Sequence, residues 1–354
     1  MQQEMKKDYY KISKVIKMLG SDANALSGKT LLCTGTGGFL GQWLLRTVKQ
    51  LNETVLEKPC KLLAYDISLP SSEVYEEFRD CGVIFHAHDL TKKLPIVSEK
   101  IDFVVHMAGI ASPTHYKRFP LETIDVTLEG VRGTLEIARI HNAKFLFTSS
   151  SEVYQTPKIV PTPETEIGEI YPNNERSCYD ISKLMAENLV YVYGKNLSVE
   201  ACSIRIFNSF GVGMAEADSR ILPRIASAAK SGKKMQIYKR DQLPTRTYCP
   251  AANTIAGLFK ALIKGKKTEV YNIGISTNEI SVQELIHLVN ENCNVKVEYD
   301  FVVPTSVYIH EPLRRCPDIA KASKELGYVP LVSLEDGLID FFEWSNERYT
   351  GIDH

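Results

Sequence analysis

Short apolar runs alternate with stretches of helical spacing over the first 150 residues. Apolar runs that predict buried strands occur at residues 29–34 (KTLLCT), 61–66 (KLLAYD), 82–90 (GVIFHAHDL), 101–109 (IDFVVHMAG) and 144–147 (KFLF). Helical spacing separates them, most clearly over residues 39–51 and 121–141. Strands that alternate with helices predict an α/β fold, in which a doubly wound parallel sheet carries right-handed crossovers.

The pattern loosens after about residue 205, where isolated strands and helices follow one another. We predict a helical extension over 1–27, a mainly nucleotide-binding domain over 28–205 and a smaller, mainly substrate-binding lobe over 206–354. The chain is expected to cross between the two lobes, with a cleft between them. In the extension, apolar residues at helical spacing predict a short amphipathic helix packed on the body: Tyr9, Ile12, Val15, Ile16 and Leu19. A membrane-surface or partner helix is the alternative.

Composition narrows the classes of function. The 354 residues have a formal net charge of −1, so no basic field favours nucleic acid or an anionic membrane. No apolar run approaches the roughly 18–20 residues of a membrane span. The N-terminus is polar and lysine-rich, without the apolar core of a signal peptide. The eight cysteines form no C-x-x-C pair, so we expect reduced thiols in a cytoplasmic protein and no metal site.

A glycine cluster, GTGGFLG, follows the first predicted strand and opens the first long helix. Gly35 suits the tight turn, Gly38 allows the backbone to approach a pyrophosphate, and Gly41 allows close packing of helix on sheet. The helix N-terminus would then face the anion with free N–H groups. Because the cluster lies between a strand and a helix, it predicts a Rossmann-type dinucleotide site.

Two acids follow later strands of the predicted sheet. Asp66 ends the second strand, where a carboxylate would bind a ribose 2′-hydroxyl and repel a 2′-phosphate, which favours NAD over NADP. A turn residue is the alternative for Asp66. Asp89 follows the third strand and could meet the adenine, with a helix cap or loop acid as an equal alternative.

A tyrosine and a lysine one helical turn apart indicate proton transfer. Tyr179 and Lys183 share a helix face, and a nearby ammonium would lower the pKa of the tyrosine so that it could exchange a proton with a sugar hydroxyl. The Y-x-x-x-K pattern occurs four times in this chain. The other tyrosines are excluded by position or by a helix breaker within the pattern: Tyr10, Tyr154 and Tyr191.

These motifs in this order resemble the extended short-chain dehydrogenase/reductases that modify nucleotide sugars, over roughly residues 28–345. Within that family, ASPTHY (residues 111–116), TSSSEVY (148–154) and ERSCYDISK (175–183) are similar to the UDP-glucuronate decarboxylases, which make UDP-xylose. The resemblance implies bound NAD that takes a hydride from sugar C4 and returns it after decarboxylation at C5. It implies a homodimer through the helices near 121–141 and Tyr179. Further cofactor-binding residues implied by it are Phe39, Leu40, Leu90, Met107, Ala108 and Gly109.

Glu152 bears on which reaction the resemblance implies. Family 4,6-dehydratases carry an Asp-Glu pair here and 4-epimerases lack the glutamate, whereas this chain has Ser151-Glu152. Decarboxylation needs no acid to expel water, so Glu152 is expected near C5 or the sugar carboxylate, as a base or a steering group. Ser150 would hydrogen-bond the C4 oxygen. A structural acid at a strand end is the alternative for Glu152.

The resemblance also implies a set of substrate-binding residues. Guanidinium groups suit phosphate oxygens, although an adjacent arginine pair in a loop is often solvated surface. The implied residues are Ser112, Arg176, Asn208, Arg246, Arg314 and Arg315. The chain departs from the family at Thr127, Gln155, Ala251 and Asn253, and its RIFNSFGVGM lacks the proline and arginine of the family's GPRM. A nucleotide-sugar dehydratase or epimerase, or a non-catalytic NAD- or sugar-binding protein, remains an alternative.

Overall fold

The computed structural model describes residues 9–94, 96–238, 242–303 and 312–352. Within them, a parallel sheet of seven strands forms the centre, in the order β11-β6-β5-β4-β1-β2-β3. Its strands are β1 (Thr30–Thr34), β2 (Lys61–Asp66), β3 (Val83–Ala87), β4 (Phe103–His106), β5 (Lys144–Ser150), β6 (Ala201–Ile206) and β11 (Val270–Ile273). The predicted doubly wound parallel sheet is therefore confirmed. Strand β11 returns to this sheet from beyond residue 206.

Helices cover both faces of the sheet, and the described helices are α1 (Ile12–Leu19), α2 (Phe39–Thr54), α3 (Ser72–Glu77), α4 (Pro113–Arg118), α5 (Pro120–His141), α6 (Ser177–Leu197), α7 (Ile221–Ser231), α8 (Ala251–Lys264), α9 (Val282–Asn292), α10 (Ala320–Leu326) and α11 (Leu334–Arg348). The shorter strands are β7 (Ser209–Phe210), β8 (Met235–Tyr238), β9 (Thr245–Arg246), β10 (Cys249–Pro250), β12 (Ile280–Ser281), β13 (Tyr299–Val302) and β14 (Arg314–Arg315). These pair in small sheets, β10 with β7, β9 between β12 and β14, and β13 with β8.

The sheet strands are apolar on both faces because each face packs against helices. Leu31 and Cys33 of β1 point into a core shared with α1, α2, α8 and α10. Leu32, between them, points into a second core with α5 and α6. A third core joins α7, α9 and α11, in the part of the chain beyond residue 206.

The sheet order reverses between β1 and β4, because the chain winds outward from β1 in both directions. A crevice at the carboxyl ends of the strands at such a switch point is where doubly wound folds bind ligands. The glycine turn after β1 and the segment 107–109 after β4 meet at this point.

The N-terminal amphipathic helix is confirmed as α1. Its residues Ile12, Val15 and Leu19 are buried in the core with α2 and α8, so its apolar face is covered by the protein itself. Over the described ranges, no helix is long and apolar enough to cross a membrane.

Candidate active site

The glycine turn leaves no room for side chains at two of its positions. Gly35 has a φ of +75°, and a Cβ there would lie 2.7 Å from the backbone nitrogen of Ala108. A Cβ on Gly41 would lie 2.3 Å from the carbonyl oxygen of Gly35. Gly38 is extended and precedes the first residue of α2. The turn is thus pressed against the end of β4, and the start of α2 can present its free N–H groups to a pyrophosphate.

The other predicted cofactor residues surround this turn. Phe39 and Leu40 form the first turn of α2 and pack on the core. Met107 follows β4 directly, and its backbone N–H donates to the carbonyl oxygen of Thr34 at 3.3 Å. A Cβ on Gly109 would lie 3.5 Å from Nζ of Lys183. The predicted cofactor-binding residues therefore lie next to the predicted catalytic residues.

The two predicted ribose and adenine acids differ in their surroundings. Asp66 ends β2, and its Oδ2 accepts a hydrogen bond from the backbone N–H of Gly37 at 2.7 Å, which joins it to the glycine turn. Asp89 accepts from both the backbone N–H and the hydroxyl of Thr91, at 2.9 and 2.8 Å, so its carboxylate closes a local turn. Leu90 beside it is buried. The cofactor roles of these residues stay predictions.

Lys183 lies buried on α6 beneath the end of β5. Its Nζ donates to the carbonyl oxygen of Thr148 at 2.9 Å and lies 4.7 Å from the ring centroid of Phe147. Burial lowers the pKa of Lys183 to about 8, although the carboxylate of Glu187 opposes this. The ring centroid of Tyr179 lies 5.9 Å from Nζ, so the two predicted groups face one site.

The pKa of Tyr179 moves in the direction opposite to the sequence prediction. Burial, together with the carboxylates of Glu152 and Asp180, raises the pKa of Tyr179 to about 12, against a hydrogen bond with Ser150 that lowers it. The prediction of a lowered pKa was therefore wrong, because burial outweighs the influences that lower it. The role of Lys183 in proton transfer stays a prediction. The ring of Tyr116 stacks on that of Tyr179 with 5.3 Å between centroids and 12° between planes. The hydroxyl of Tyr179 thus keeps its proton at neutral pH.

Glu152 forms ion pairs with arginines from two distant segments of the chain. It follows β5 in a short 3-10 turn (Ser151–Tyr154), and its backbone N–H donates to Oγ of Ser150 at 3.2 Å. Its Oε2 lies 2.8 Å from Nη2 of Arg176 and 3.2 Å from Nη2 of Arg315. Burial would raise the pKa of Glu152, but the guanidinium groups of Arg315, Arg176 and Arg246 outweigh burial and hold it below its usual value. Glu152 is therefore ionised at neutral pH.

A second carboxyl group lies behind this cluster. Asp180 follows Tyr179 on α6 and is buried, and within the described residues its Oδ1 has no hydrogen-bond partner. Burial raises the pKa of Asp180 to about 7, and the negative charge of Glu152 adds to this, while Arg176 and Arg315 oppose it. Asp180 is thus partly protonated at neutral pH.

A cleft of about 1000 Å³ opens from Glu152 toward the second lobe. Its charged lining is mostly cationic, with Lys117, Arg118, Arg176, Arg220, Arg224, Arg246 and Arg315 against Glu152. The lining also includes the apolar or aromatic residues Phe210, Leu222, Ile237 and Tyr248. Such a cleft suits a polyanion with a planar group at one end.

Most of the predicted substrate residues meet in this cleft. Asn208, Arg176, Arg246 and Arg315 all line it. Arg314 does not, because both ends of its guanidinium group bind Glu279, at 3.0 and 2.5 Å.

Ser112 precedes α4, next to the lining residues of that helix. Its hydroxyl is buried and has no partner within the part of the chain that the structure describes.

Three of the residues at which this chain departs from the family pattern form hydrogen bonds within the fold. The side chain of Asn253 donates to the backbone carbonyl oxygen of Val332 at 2.8 Å and accepts from the backbone N–H of Val332 at 3.0 Å. These bonds connect α8 to the loop between α10 and α11. Thr127 is buried within α5, and its hydroxyl bonds its own helix. Gln155 has a φ of +44° and accepts from the N–H of Tyr171 at 2.8 Å.

Sequence reasoning missed several side chains of the site, among them Tyr116, Asp180 and Arg220. Tyr116 stacks on Tyr179, Asp180 faces the arginine cluster, and Arg220 lines the cleft. Tyr116 and Asp180 lie inside the motifs ASPTHY and ERSCYDISK, so the sequence already indicated that both residues lie near the site. Arg220 lies in a segment without a recognisable pattern.

Comparisons with known proteins agree with this geometry. The model of the NAD dependent epimerase/dehydratase family matches residues 31–274. The chain is 36% identical to UDP-glucuronic acid decarboxylase 3 of Arabidopsis thaliana over 251 residues, which cover 71% of each protein. It is 32% identical to UDP-glucuronic acid decarboxylase 6 of the same plant over 319 residues, which cover 88% of this chain and 87% of the relative.

Solved structures share the fold. A UDP-glucuronic acid 4-epimerase variant from Bacillus cereus, in complex with NAD and a fluorinated UDP-glucuronic acid, superposes with a TM-score of 0.74 at 24% identity. The match covers 90% of this chain and 100% of that one. A dTDP-glucose 4,6-dehydratase from Streptomyces venezuelae with NAD bound gives 0.75 at 20% identity, over 90% of this chain and 97% of the other.

Proposed function

Because the chain belongs to the NAD-dependent epimerase/dehydratase family, we propose that it is a redox-neutral lyase that decarboxylates UDP-glucuronate to UDP-xylose. The relatives that support this reaction are UDP-glucuronic acid decarboxylases that align along most of the chain. The observation that carries the proposal is the charge around Glu152.

Positive charge exceeds negative charge where the reacting sugar would bind. Arg176, Arg246 and Arg315 all act on the single carboxylate of Glu152. Asp180 adds little negative charge, since its pKa of about 7 leaves it partly protonated. Excess buried positive charge is costly unless an anion compensates it. The diphosphate of any nucleotide sugar supplies part of that negative charge, and a uronate adds a carboxylate that a neutral hexose lacks.

The residues around the glycine turn fit NAD. Glycines without room for a Cβ, the exposed start of α2 and the carboxylate of Asp66 form the parts that a dinucleotide needs. NAD, when bound, supplies the acceptor and later the donor of the hydride at sugar C4. The hydroxyls of Ser150 and Tyr179 form a pair at the end of β5 that can hold the C4 oxygen. Tyr179 would take the proton of the C4 hydroxyl in its phenolate form, which the positive charge of Lys183 favours. Lys183 adds a positive charge below them.

Decarboxylation follows once C4 is a ketone. The bond between C5 and the carboxyl carbon breaks, carbon dioxide leaves, and the electron pair moves toward the C4 oxygen, where Ser150 and Tyr179 stabilise the enolate. C5 would then take up a proton from water that enters the cleft, which gives the 4-keto pentose. Because Glu152 is ionised and bound to two arginines, we assign it to holding Arg176 and Arg315 toward the sugar carboxylate. This assignment favours the steering role over the base.

The arrangement of acids disfavours dehydration. Loss of a sugar hydroxyl as water requires an acid that reaches the leaving oxygen. Asp180, the carboxyl group with a raised pKa near Glu152, is buried and does not line the cleft. Among the described residues, the carboxyl group that does line the cleft is Glu152, which is ionised and so has no proton to give to a leaving group.

A panel of sugar nucleotides tests the proposed reaction. UDP-glucuronate, UDP-glucose and dTDP-glucose are each incubated with the purified protein, and products are separated by ion-pair chromatography with mass detection. We expect a UDP-pentose from UDP-glucuronate, formed with loss of carbon dioxide, and no change in the other two. A UDP-uronate isomer would identify an epimerase, and a product lighter by one water would identify a dehydratase. Either result would overturn the proposal.

We also propose a homodimer formed through α5 and α6. Leu121, Ile124 and Leu128 form an exposed or half-exposed apolar stripe on α5, and Met185 and Val192 form one on α6. Twofold dimers are the commonest assemblies, and they bury such stripes. Sedimentation velocity should give a dimer for the wild type and a monomer for the double variant Met185→Glu, Val192→Glu.

A cytoplasmic location is proposed as well. All eight cysteines are free thiols, as expected in a reducing compartment. Cell fractionation tests this location, and recovery in a membrane or secreted fraction would contradict it.

A further inference from the structure

The chain returns to the cleft after its last helix. Tyr349, just beyond α11, is buried, and its hydroxyl donates to the carbonyl oxygen of Met214 at 2.8 Å. Gly351 has a φ of +87°, and a Cβ there would lie 3.0 Å from the backbone nitrogen of Ser231 at the end of α7. Ile352 then lines the cleft itself. Residues 349–352 are called the C-terminal segment below.

Glu216 holds this segment with its carboxylate. The backbone N–H groups of Thr350, Gly351 and Ile352 donate to it at 2.6 to 3.1 Å. The hydroxyls of Thr350 and Ser227 donate to it at 3.1 Å. Successive N–H groups aimed at one anion form a nest, and bonds to a charged acceptor are stronger than neutral ones. The pKa of Glu216 falls to about 2, because these bonds outweigh its burial, so the carboxylate stays ionised.

The loop that carries Glu216 also carries Arg220 into the cleft. The carboxylate of Asp218 accepts hydrogen bonds from the backbone N–H and the guanidinium group of Arg220, at 2.5 to 3.0 Å. The guanidinium carbon lies 5.8 Å from the ring centroid of Phe39, the first residue of α2. Arg220 therefore lies between the glycine turn and the cleft. Residues 214–220 are called the arginine loop below.

Glu216 itself is not among the lining residues, but the two segments that it joins both are. Met214, Ala217, Ser219 and Arg220 line the cleft from the arginine loop, and Ile352 lines it from the C-terminal segment. Because the carboxylate of Glu216 holds the arginine loop and the C-terminal segment together, both segments lose conformational freedom before a ligand binds. Without this contact, the loop that carries Arg220 would lose the same conformational entropy when Arg220 binds an anion, and binding would be weaker.

We propose that Glu216 is a positioning residue for substrate binding. By holding the C-terminal segment, it fixes the arginine loop and so pre-organises Arg220 for the diphosphate of the nucleotide sugar. The inference rests on the proposed function, because it assigns a role at the same cleft. It predicts that loss of the contact weakens ground-state binding and leaves the chemical step at Tyr179 intact.

The test removes the contact from either side. Glu216→Gln keeps the size of the side chain but loses its charge and one acceptor oxygen, and deletion of residues 350–354 removes the donors of the C-terminal segment. Calorimetry on the full protein with its cofactor then gives the Kd for UDP alone. We expect each change to weaken UDP binding about fivefold to twentyfold, less than the roughly 10- to 150-fold of a lost bond to a charged group, because Glu216 acts only through the position of Arg220. The combined variant should be no weaker than either, since both changes break one contact.

Glu325→Gln is the matched control. Glu325 on α10 also holds a hydroxyl and an ammonium, those of Tyr271 and Lys266 at 3.0 and 3.1 Å, but it lies away from the cleft lining. It should leave the Kd for UDP unchanged.

Two readouts separate positioning from a general loss of structure. With UDP-glucuronate, the Glu216 variant should raise KM by the same factor and keep kcat within about twofold of the wild type. Unchanged UDP affinity, additive effects in the combined variant, or a fall of kcat equal to the rise of KM would overturn the inference. Because UDP binding needs no turnover, a wild type that binds UDP without converting UDP-glucuronate would overturn the proposed function alone. If Glu216→Gln does not fold, the deletion variant decides.

Discussion

Arg176 and Glu152 form an ion pair with 2.8 Å between Nη2 and Oε2. The pair joins the residue just before α6 to the turn just after β5. Tyr179 lies one helical turn beyond Arg176, and Ser150 lies two residues before Glu152. The pair therefore fixes the distance between the two hydroxyls that would hold the C4 oxygen, and it also aims a guanidinium group at the sugar.

Replacement of Arg176 should weaken the binding of a nucleotide-linked uronate much more than the binding of a nucleotide-linked neutral sugar. Arg176→Gln removes a charge but keeps hydrogen-bonding capacity, so the Kd for UDP-glucuronate should rise about 10- to 150-fold, the value of a bond to a charged group. The Kd for UDP-glucose should change less than about twofold. Calorimetry measures both, with Arg79→Gln as the control, since Arg79 forms an exposed pair with Glu76. Equal weakening of both ligands would contradict the charge argument.

Removal of one hydroxyl should stop the chemistry without preventing binding. Tyr179→Phe should lower kcat with UDP-glucuronate by about 10²- to 10⁴-fold, the usual contribution of a proton-transfer group. The Kd for UDP should remain unchanged. Tyr191→Phe is the control, because Tyr191 lies on the same helix in the same Y-x-x-x-K spacing but is exposed. Unchanged turnover in the Tyr179 variant would remove Tyr179 from the mechanism.

Asp180 should make uronate binding depend on pH. Burial and Glu152 raise its pKa to about 7, so it is neutral below that pH and negative above it. Its negative charge offsets part of the positive charge of Arg176 and Arg315, so affinity for UDP-glucuronate should weaken about threefold to tenfold between about pH 6 and 8. Asp180→Asn should show a flat profile with the affinity of the wild type at low pH. A wild-type profile that is already flat would contradict this.

His106 should make stability depend on pH in the acidic range. Its Nδ1 lies 3.2 and 3.1 Å from the hydroxyls of Thr34 and Thr134, and burial, with the charge of Lys183, lowers its pKa to about 3. The unfolded chain, with a histidine pKa of about 6.5, takes up the proton first as pH falls. Stability contributed by neutral His106 is thus complete above about 6.5 and is lost toward acid.

The comparison with His106→Gln isolates this contribution. The difference in unfolding free energy between the wild type and the variant should shrink by about 1.4 kcal/mol per pH unit between about pH 6 and 5. Urea titrations at each pH measure it. A difference that stays constant over this range would show that His106 does not carry the effect.

The sheet and its ligand edge were predictable because they depend on local pattern. Strand β2 has the predicted bounds, since Lys61–Asp66 is apolar up to the acid that ends it. The steric limit at Gly41 is likewise local, because it comes from Gly35 and Thr36 of the same turn, whereas the limit at Gly35 comes from Ala108 after β4.

The site electrostatics were not predictable from spacing alone. The pKa of Tyr179 depends on burial and on Glu152, which is distant in the chain. Arg314 and Arg315 are adjacent in sequence, yet successive side chains of a strand point to opposite sides. Arg315 therefore reaches Glu152, while Arg314 binds Glu279 outside the cleft. Glu216 and the C-terminal segment meet across more than 130 residues, which no local pattern indicates.

The most direct test is a proton NMR time course of the purified protein with UDP-glucuronate and no added reductant. The account predicts that pentose anomeric signals replace those of the uronate, with no net formation of NADH, because the hydride taken from C4 returns. Unchanged UDP-glucuronate in a sample shown to contain bound NAD would contradict the proposed decarboxylase.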